Sequence, residues 1–492
     1  MHFSIPDTQE INDDNGSTFK GYNVHINGVF HCTVRFKQLH NLHEQLRKEY
    51  GASTLPPFPP KKLLPLTASQ LEERRALLEK YIQSIGQDPR LVTSELLNGF
   101  LLSAQQETNC EKRQEMTLDV YIMNGYQISL NVFTTDKSEQ VLIKACKQIN
   151  LPQEYVHYFS LFLLKKEDNG DITVFRKLQD FESPYISHKS IQEQNKVVLR
   201  KSYWDPEYDI ELMSNPVAMN LLYVQTVSDV ERGWILCSTE MQSQLTSLQA
   251  RGAKRDYVEL ARTLKYYGFL QFKPCLCDYP KSQSLVLVSI GNQELNLRVN
   301  MGPGQEMREG CFKVTRMRCW RITALHNNKY NATSSNNKHS HSELELSFEY
   351  LMSKDKLQWI TISSEQAILM SVCLQSMVDE LLLKKNGLKK KQSDYGNRNC
   401  WSYMKRDGSS QLISPSQSPV TEGHAMANNG DNSGMFYGDA LSIRKLQEKF
   451  SSVSFKSGKE FVENHAFEVT SVEHFVSVRV QPPIKHVIYL RL

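Results

Sequence analysis

Three cations in the first ninety residues have the chemistry to grip phosphate oxygens: Arg35 ahead of Phe36, Lys61 in FPPKKLLPL (from Phe58), and Arg74 in ERRALLEKY (from Glu73). A guanidinium offers a planar fork to phosphate, and each charge-assisted hydrogen bond contributes on the order of 1.5 to 3 kcal/mol net. The cations occupy different local contexts: a strand end, a Pro-rich bend and the early turns of a helix. They converge only once the chain folds. Together with the Phe36 ring they read as a dock for a phosphorylated sugar head on a membrane.

The flanking patterns supply the elements that must position them. His2 to Pro6, Phe19 to Ile26 and Val29 to Arg35 read as short strands, and Asn27-Gly28 gives the hairpin turn between the last two. Leu39, Leu42, Leu46 and Tyr50 then recur at helical spacing up to Gly51. Leu55 to Pro65 holds five prolines and predicts an extended, partly rigid loop. Thr67 and Gln70 form a capping-box pattern that opens a helix carrying Arg74 in its second turn. Leu63, Leu64 and Leu66 lie beside Lys61 and Lys62, so the loop suits a membrane tip with apolar ends and an anion-seeking base. Taken singly, Arg74 and Arg75 fit a solvated helix face and the leucines fit a core; the ordered set fits the dock better.

This order over residues 1–108 is similar to the phox-homology (PX) domain of sorting nexins: strand, Arg and aromatic, then a Pro-Pro-Lys loop, then Arg before LEKY. The resemblance implies binding to phosphatidylinositol 3-phosphate. It would give Arg35 the 3-phosphate, Phe36 the underside of the inositol ring, Lys61 the 1-phosphate and Arg74 the ring hydroxyls.

Farther on, Leu118 to Phe133 alternates across an Asn124-Gly125 turn and is followed by a helix with Val141, Leu142, Ala145, Cys146 and Ile149 on its apolar side, then by more strands. This is the order of a ubiquitin-like lobe, over 109–206. Residues 207–272 lack strand alternation and read as a helical lobe. Residues 273–388 return to strands and close on a long helix from Ser364 to Lys385, resembling a phosphotyrosine-binding or pleckstrin-like (PTB/PH-like) lobe. SYWDPEYD, QTVSDVERGW, TRMRCWRIT and FEYLMSKDKLQW look specifically like the sorting nexins that join a PX domain to an atypical FERM module, and the resemblance spans roughly residues 1–388. The expected class is therefore α+β multidomain. In that subfamily the third lobe takes receptor cytoplasmic tails bearing Asn-Pro-X-Tyr (NPxY) or a variant, added as a strand to a sheet edge. Trp320 is expected against the peptide, with Val378 and Leu382 on the closing helix forming the other wall.

Composition narrows the alternatives. A net charge of +4 over 492 residues does not suit a nucleic-acid binder that works by bulk positive charge. Ten cysteines lack zinc-knuckle spacing, Cys275 and Cys277 being one residue apart, and read as reduced cytosolic thiols. MHFSIPDTQE lacks the basic start and apolar core of a signal peptide, and no apolar run reaches the roughly 18 residues of a membrane span. Gly-rich phosphate-loop, HExxH and GxSxG signatures are missing, so neither catalysis nor a cofactor is expected. His339 and His341 fit a connecting loop better than a metal site, Asn331 opens a sequon by spelling only, and the lysines of 384–391 read as a solvated boundary.

Residues 389–492 read as a largely disordered tail, rich in Asn, Ser and Gly as far as Gly438, with a short helix near Leu441 to Phe450. Related members run from HAFE into an acidic end that recruits the retriever complex; this chain continues instead VTSVEHFVSVRVQPPIKHVIYLRL, so the retriever contact is not carried over. That ending reads as an alternative terminus or a misread exon, in which Val476, Val478 and Val480 alternate as a strand would. The combined expectation is a cytoplasmic adaptor, peripheral on early endosome membranes, that holds receptor tails for recycling and away from lysosomal degradation. A membrane–cytoskeleton linker of the general FERM type is the alternative, and it lacks a recognisable actin-binding segment.

Overall fold

The computed structural model describes residues 1–12, 18–62, 64–167, 172–191, 194–299, 308–325, 343–353, 356–387 and 401–413, and the backbone of 485–491. The expected helix near 441–450, the alternating valines at 476–480, and His339, His341 and Asn331 lie outside these residues, as does Leu63. Two compact units are present: Met1–Asn109 with the hairpin at 401–413, and Cys110–387 with the strand at 485–491.

The first unit is built on β1 (Phe3–Ser4), β2 (Thr8–Asn12), β3 (Thr18–Ile26) and β4 (Val29–Arg35), followed by α1 (Phe36–Tyr50), α2 (Ala68–Gln87), α3 (Pro89–Val92) and α4 (Glu95–Thr108). β3 is the centre of the sheet and pairs antiparallel with β1 and β2 along one side and β4 along the other. Asn27 and Gly28 both take positive φ, 50° and 81°, the geometry a two-residue hairpin turn of matching twist requires. Thr67 and Gln70 exchange the two capping-box bonds, at 3.1 and 3.3 Å, and so fix where α2 begins. Val24, Val34, Leu39, Leu42, Leu78 and Ile82 are buried between sheet and helices.

β2 had no signal in the sequence because TQEIN is largely exposed and polar at the sheet margin. A larger correction concerns the tail. Trp401–Met404 and Ser410–Ile413 form an antiparallel hairpin against α1 and α4, where disorder was expected. Its core contribution is two alternate aromatics, Trp401 at 8% and Tyr403 at 2% exposure, too few to stand out in a polar stretch.

In the second unit the first lobe is a five-stranded sheet in the order Gln127–Phe133, Glu115–Tyr121, Asn195–Lys201, Phe159–Lys166, Ile172–Lys177. Its one parallel pairing joins Glu115–Tyr121 to Asn195–Lys201, and the Ser138–Gln148 helix buries Val141, Leu142, Ala145 and Cys146. Helices Tyr208–Leu212, Pro216–Glu231, Thr239–Ala250 and Lys254–Arg262 form the second lobe. In the third, a sheet runs from Arg308–Lys313 through Glu294–Val299, Ser284–Gly291, Cys275–Cys277 and Lys356–Ser363 to Glu343–Ser353 and Met317–Leu325, and the Ala367–Lys385 helix packs on it.

One buried carboxylate ties the first two of these lobes together. Asp209 is fully buried and accepts hydrogen bonds from the Tyr203 and Tyr267 hydroxyls, with Lys201 Nζ at 3.6 Å and Arg262 Nε at 3.3 Å. Burial, with Asp209 adding to it, pushes both phenols well above their ordinary range, so they remain donors. Asp209→Ala would leave two cations facing a gap. It is expected to cost the second unit about 3 to 5 kcal/mol, read as a fall in its denaturant midpoint; a shift under about 1 kcal/mol would show that the hub is not holding the lobes together.

Candidate functional site

The expected headgroup residues do meet in the first unit. Arg35 is the last residue of β4 and the N-cap of α1, with its amide donating to Gln38 Oε1 at 2.9 Å. The junction therefore fixes the root of its side chain, and the guanidinium lies over the Phe19 ring, 3.9 Å from the centroid. Phe36, the first residue of α1, has its ring centre 5.5 Å from that of Phe58 in the Pro-rich loop. The Arg74 guanidinium sits over the Phe36 ring at 4.4 Å, so one ring face assigned to an inositol is taken up by this cation. Lys61 is exposed, and its charge reaches His40, whose ring lies 5.5 Å from Phe58. Desolvation first, and Lys61 second, lower the His40 pKa and favour its neutral form.

Arg74 and Arg75 have opposite environments. Arg75 is buried, donating to Glu72 Oε1 and Oε2 at 2.7 and 3.0 Å, to Glu79 Oε2 at 3.3 Å and to the Ile5 carbonyl. Arg74 has a buried Nη2 with no acceptor among the described residues. An orphaned guanidinium nitrogen beside an aromatic ring is what an anionic ligand would satisfy. The reading of the pair as a solvated helix face is thus corrected for Arg75, which is structural. Phe58, His40, His43 and Tyr81 frame the same place: the His43 and Phe58 rings stack at 4.9 Å, and His43 Nδ1 lies 2.9 Å from the Tyr81 hydroxyl. HNLH, with histidines three apart on α1, was the available signal for them.

On the adjoining loop Leu64 is 80% exposed, the highest value among the large apolar side chains of the described residues, while Leu66 is half-buried. Lys62 pairs with Glu73 at 3.5 Å.

A second candidate site is the sheet edge of the third lobe. Met317–Leu325 pairs on one side with Glu343–Ser353 and on the other, antiparallel, with Lys485–Arg491, in register from Cys319 with Arg491 to Leu325 with Lys485. Trp320 is wholly buried and donates from Nε1 to Ser371 Oγ at 2.8 Å. Its ring belongs to the core, a correction to its placement against a peptide; it shares the edge with Leu490 through its main chain. Val378 is buried in the same apolar cluster, and Leu382 packs against that cluster partly exposed. Another stripe of the closing helix is already committed. Ser376 accepts from Trp204 Nε1 at 3.0 Å, Glu380 accepts from the Asp205 amide at 2.6 Å, and Lys384 pairs with Asp205 and Glu207, each at 2.7 Å. Lys384 is therefore a paired residue where the sequence suggested a solvated boundary.

Among the described residues no helix is long and apolar enough to cross a membrane, and no group of three or more His, Cys, Asp or Glu is arranged to hold a metal.

Comparison with known proteins matches the two units to distinct families. The PX domain family matches residues 22–104; the sorting nexin 17/27/31 FERM F1 lobe matches 116–204; the sorting nexin 17/31 FERM F2 lobe matches 205–265; and the sorting nexin 17 FERM C-terminal domain matches 268–382. Sorting nexin-17 of Danio rerio is 46% identical over 482 residues, covering 95% of this chain and 98% of its own length. Human sorting nexin-17 is 53% identical over 390 residues, 79% of this chain and 83% of its own, and human sorting nexin-31 is 38% identical over 386, 78% and 86%. With a PX domain in its first unit and the three sorting nexin FERM lobes in its second, the chain belongs to the sorting nexin 17 family.

Proposed function

We propose that the protein is an endosomal sorting adaptor that reads phosphatidylinositol 3-phosphate with the first unit and captures NPxY-type receptor tails with the third lobe, returning that cargo to recycling. Membership of the sorting nexin 17 family supports the adaptor class and a peripheral place on endosomal membranes. The observation that carries the lipid half is the unpartnered Nη2 of Arg74 on the Phe36 ring, beside Arg35 and Lys61. Arg35 meets the 3-phosphate, Lys61 the 1-phosphate and Arg74 the ring hydroxyls, and Leu64 enters the bilayer with Leu63 and Leu66 beside it. Headgroup and apolar tip are two weak signals that add on one membrane.

The peptide half rests on the edge strand Met317–Leu325, which already accepts an antiparallel strand along seven register pairs. A receptor tail would take the place held by Lys485–Arg491, its main chain pairing with the edge and its aromatic end meeting Val378 and Leu382. Two contacts on one chain raise effective concentration, so residence at an endosome that carries both lipid and cargo exceeds what either gives alone.

Arg35→Gln is expected to abolish cosedimentation with vesicles containing phosphatidylinositol 3-phosphate while the melting profile stays that of the parent; retained binding would remove the headgroup assignment. For the edge, deletion of residues 485–492 is expected to tighten binding of a fluorescent NPxY peptide at least tenfold, because an attached strand competes at roughly millimolar effective concentration. Leu382→Asp in that background should reverse the gain. Peptide affinity that stays within threefold of the parent in both variants would place the tail site elsewhere. Trp320→Ala is a poor substitute as a probe, since emptying a buried Trp site typically costs about 3 to 5 kcal/mol of stability.

A further inference from the structure

The first unit does not end at Asn109. The Trp401–Ile413 hairpin is docked on α1 and α4 by a set of buried polar contacts that a loosely lying tail would not have. Gln45 grips the Ser402 backbone from both sides, donating to its carbonyl at 2.7 Å and accepting from its amide at 2.9 Å. Gln38 Nε2 donates to the Tyr403 hydroxyl and the Met404 carbonyl, both at 3.0 Å. The Tyr403 hydroxyl donates to Glu107 Oε2 at 2.6 Å, and the Arg406 amide donates to Glu107 Oε1 at 2.8 Å. Gly99 supplies the seat: a Cβ there would come within 1.9 Å of the Trp401 ring, so the indole lies directly on helix backbone.

These contacts reach the headgroup site through one residue. The Arg406 guanidinium donates to the Thr33 carbonyl at 2.7 Å and to Thr108 Oγ1 at 2.6 Å, which ties the end of β4 to the end of α4. Its carbonyl accepts from Arg35 Nη1. Arg35 is thus held between the Phe19 ring and a main-chain oxygen of the hairpin. A carbonyl acceptor takes one of the five guanidinium N–H groups and leaves the others for a phosphate. The long side chain is pinned, and no carboxylate among the described residues neutralises it.

We propose that the Trp401–Ile413 hairpin is a positioning element of the lipid site, holding Arg35 in its ligand-ready orientation through the Arg406 carbonyl, so that the working headgroup module is residues 1–109 together with 401–413. The proposal rests on the headgroup reading of Arg35 above. Ordering one flexible side chain in advance avoids about 0.5 to 1.5 kcal/mol on binding, a factor of roughly two to ten in Kd.

The test uses the full chain, with Trp401→Ala to undock the hairpin and Trp401→Phe as the conservative variant. Hydrogen exchange at the Ser402 and Arg406 amides reports docking, and titration with phosphatidylcholine vesicles with and without phosphatidylinositol 3-phosphate reports Kd and binding capacity separately. The expected result is protection in the parent, lost in Trp401→Ala together with a five- to tenfold weaker Kd, and both restored in Trp401→Phe. Lost protection with an unchanged Kd and only reduced capacity would make the hairpin a brace and overturn the proposal. A tighter Kd would overturn it in the other direction, as a hairpin that competes with lipid, and absent protection in the parent would remove the docking itself. A parent chain that protects those amides yet does not distinguish the two vesicles would instead bring down the headgroup reading, and the positioning role with it.

Discussion

The placement of Arg74 depends on its neighbour, a cation tied wholly into the frame of the first unit. Arg75 joins α2 to the chain leaving β1, donating to the Ile5 carbonyl while Glu79, one of its own partners, accepts from the Ile5 amide at 2.8 Å. Both main-chain groups of one residue are thereby captured by a helix that otherwise stands on a Pro-rich loop. That lock sets the rotation of α2, and the rotation decides that the neighbouring Arg74 lies on the Phe36 ring and not in water. Two adjacent residues of one type thus divide the work. One is neutralised to hold the frame, and the other keeps a buried Nη2 without an acceptor among the described residues.

How much of this was legible depended on whether the signal was local. The Asn27-Gly28 turn, the Thr67–Gln70 capping box, the Val141–Cys146 helix face and the long helix that closes the third lobe follow from short-range backbone chemistry, and they stand where the sequence put them. Arg35, Phe36, Lys61 and Arg74 were nameable because their neighbours formed a recognisable series. What failed was whatever depends on distant partners. Nothing near Arg75 says that it pairs inward, since Glu72 and Glu79 are equally at home on a solvated helix. Trp320 was drawn toward a ligand by resemblance, whereas its indole found Ser371, 51 positions later in the chain. Trp401 and Tyr403 were invisible for the same reason: two aromatics in a polar stretch have no period, and their seat is a glycine in another segment.

The third lobe shows how a sheet edge can be kept out of trouble. A bare edge strand offers its unpaired amides and carbonyls to any extended chain, an aggregation risk that proteins manage by covering or charging the edge. Here Lys485–Arg491 covers Met317–Leu325 while preserving it as a strand. A main-chain cover is not selective in itself, so discrimination between this strand and another must come from side-chain pockets beside the edge. The closing helix suits that division, because Ser376, Glu380 and Lys384 anchor it to Trp204, Asp205 and Glu207 and leave Val378 and Leu382 to the apolar side.

The docked hairpin also has a consequence in time. Tyr403 and Glu107 touch although 296 residues separate them in the chain, and the described body of the second unit, apart from its strand at 485–491, lies between. At synthesis rates of about 5 to 20 residues per second, the first unit emerges from the ribosome roughly 15 to 60 seconds before its last piece exists. During that interval the seat at Gly99 and the polar ends at Gln38, Gln45 and Glu107 wait uncovered. Most of the second unit is, in chain order, an insertion into the first, so the first unit is finished only after residues 110–387 have been made.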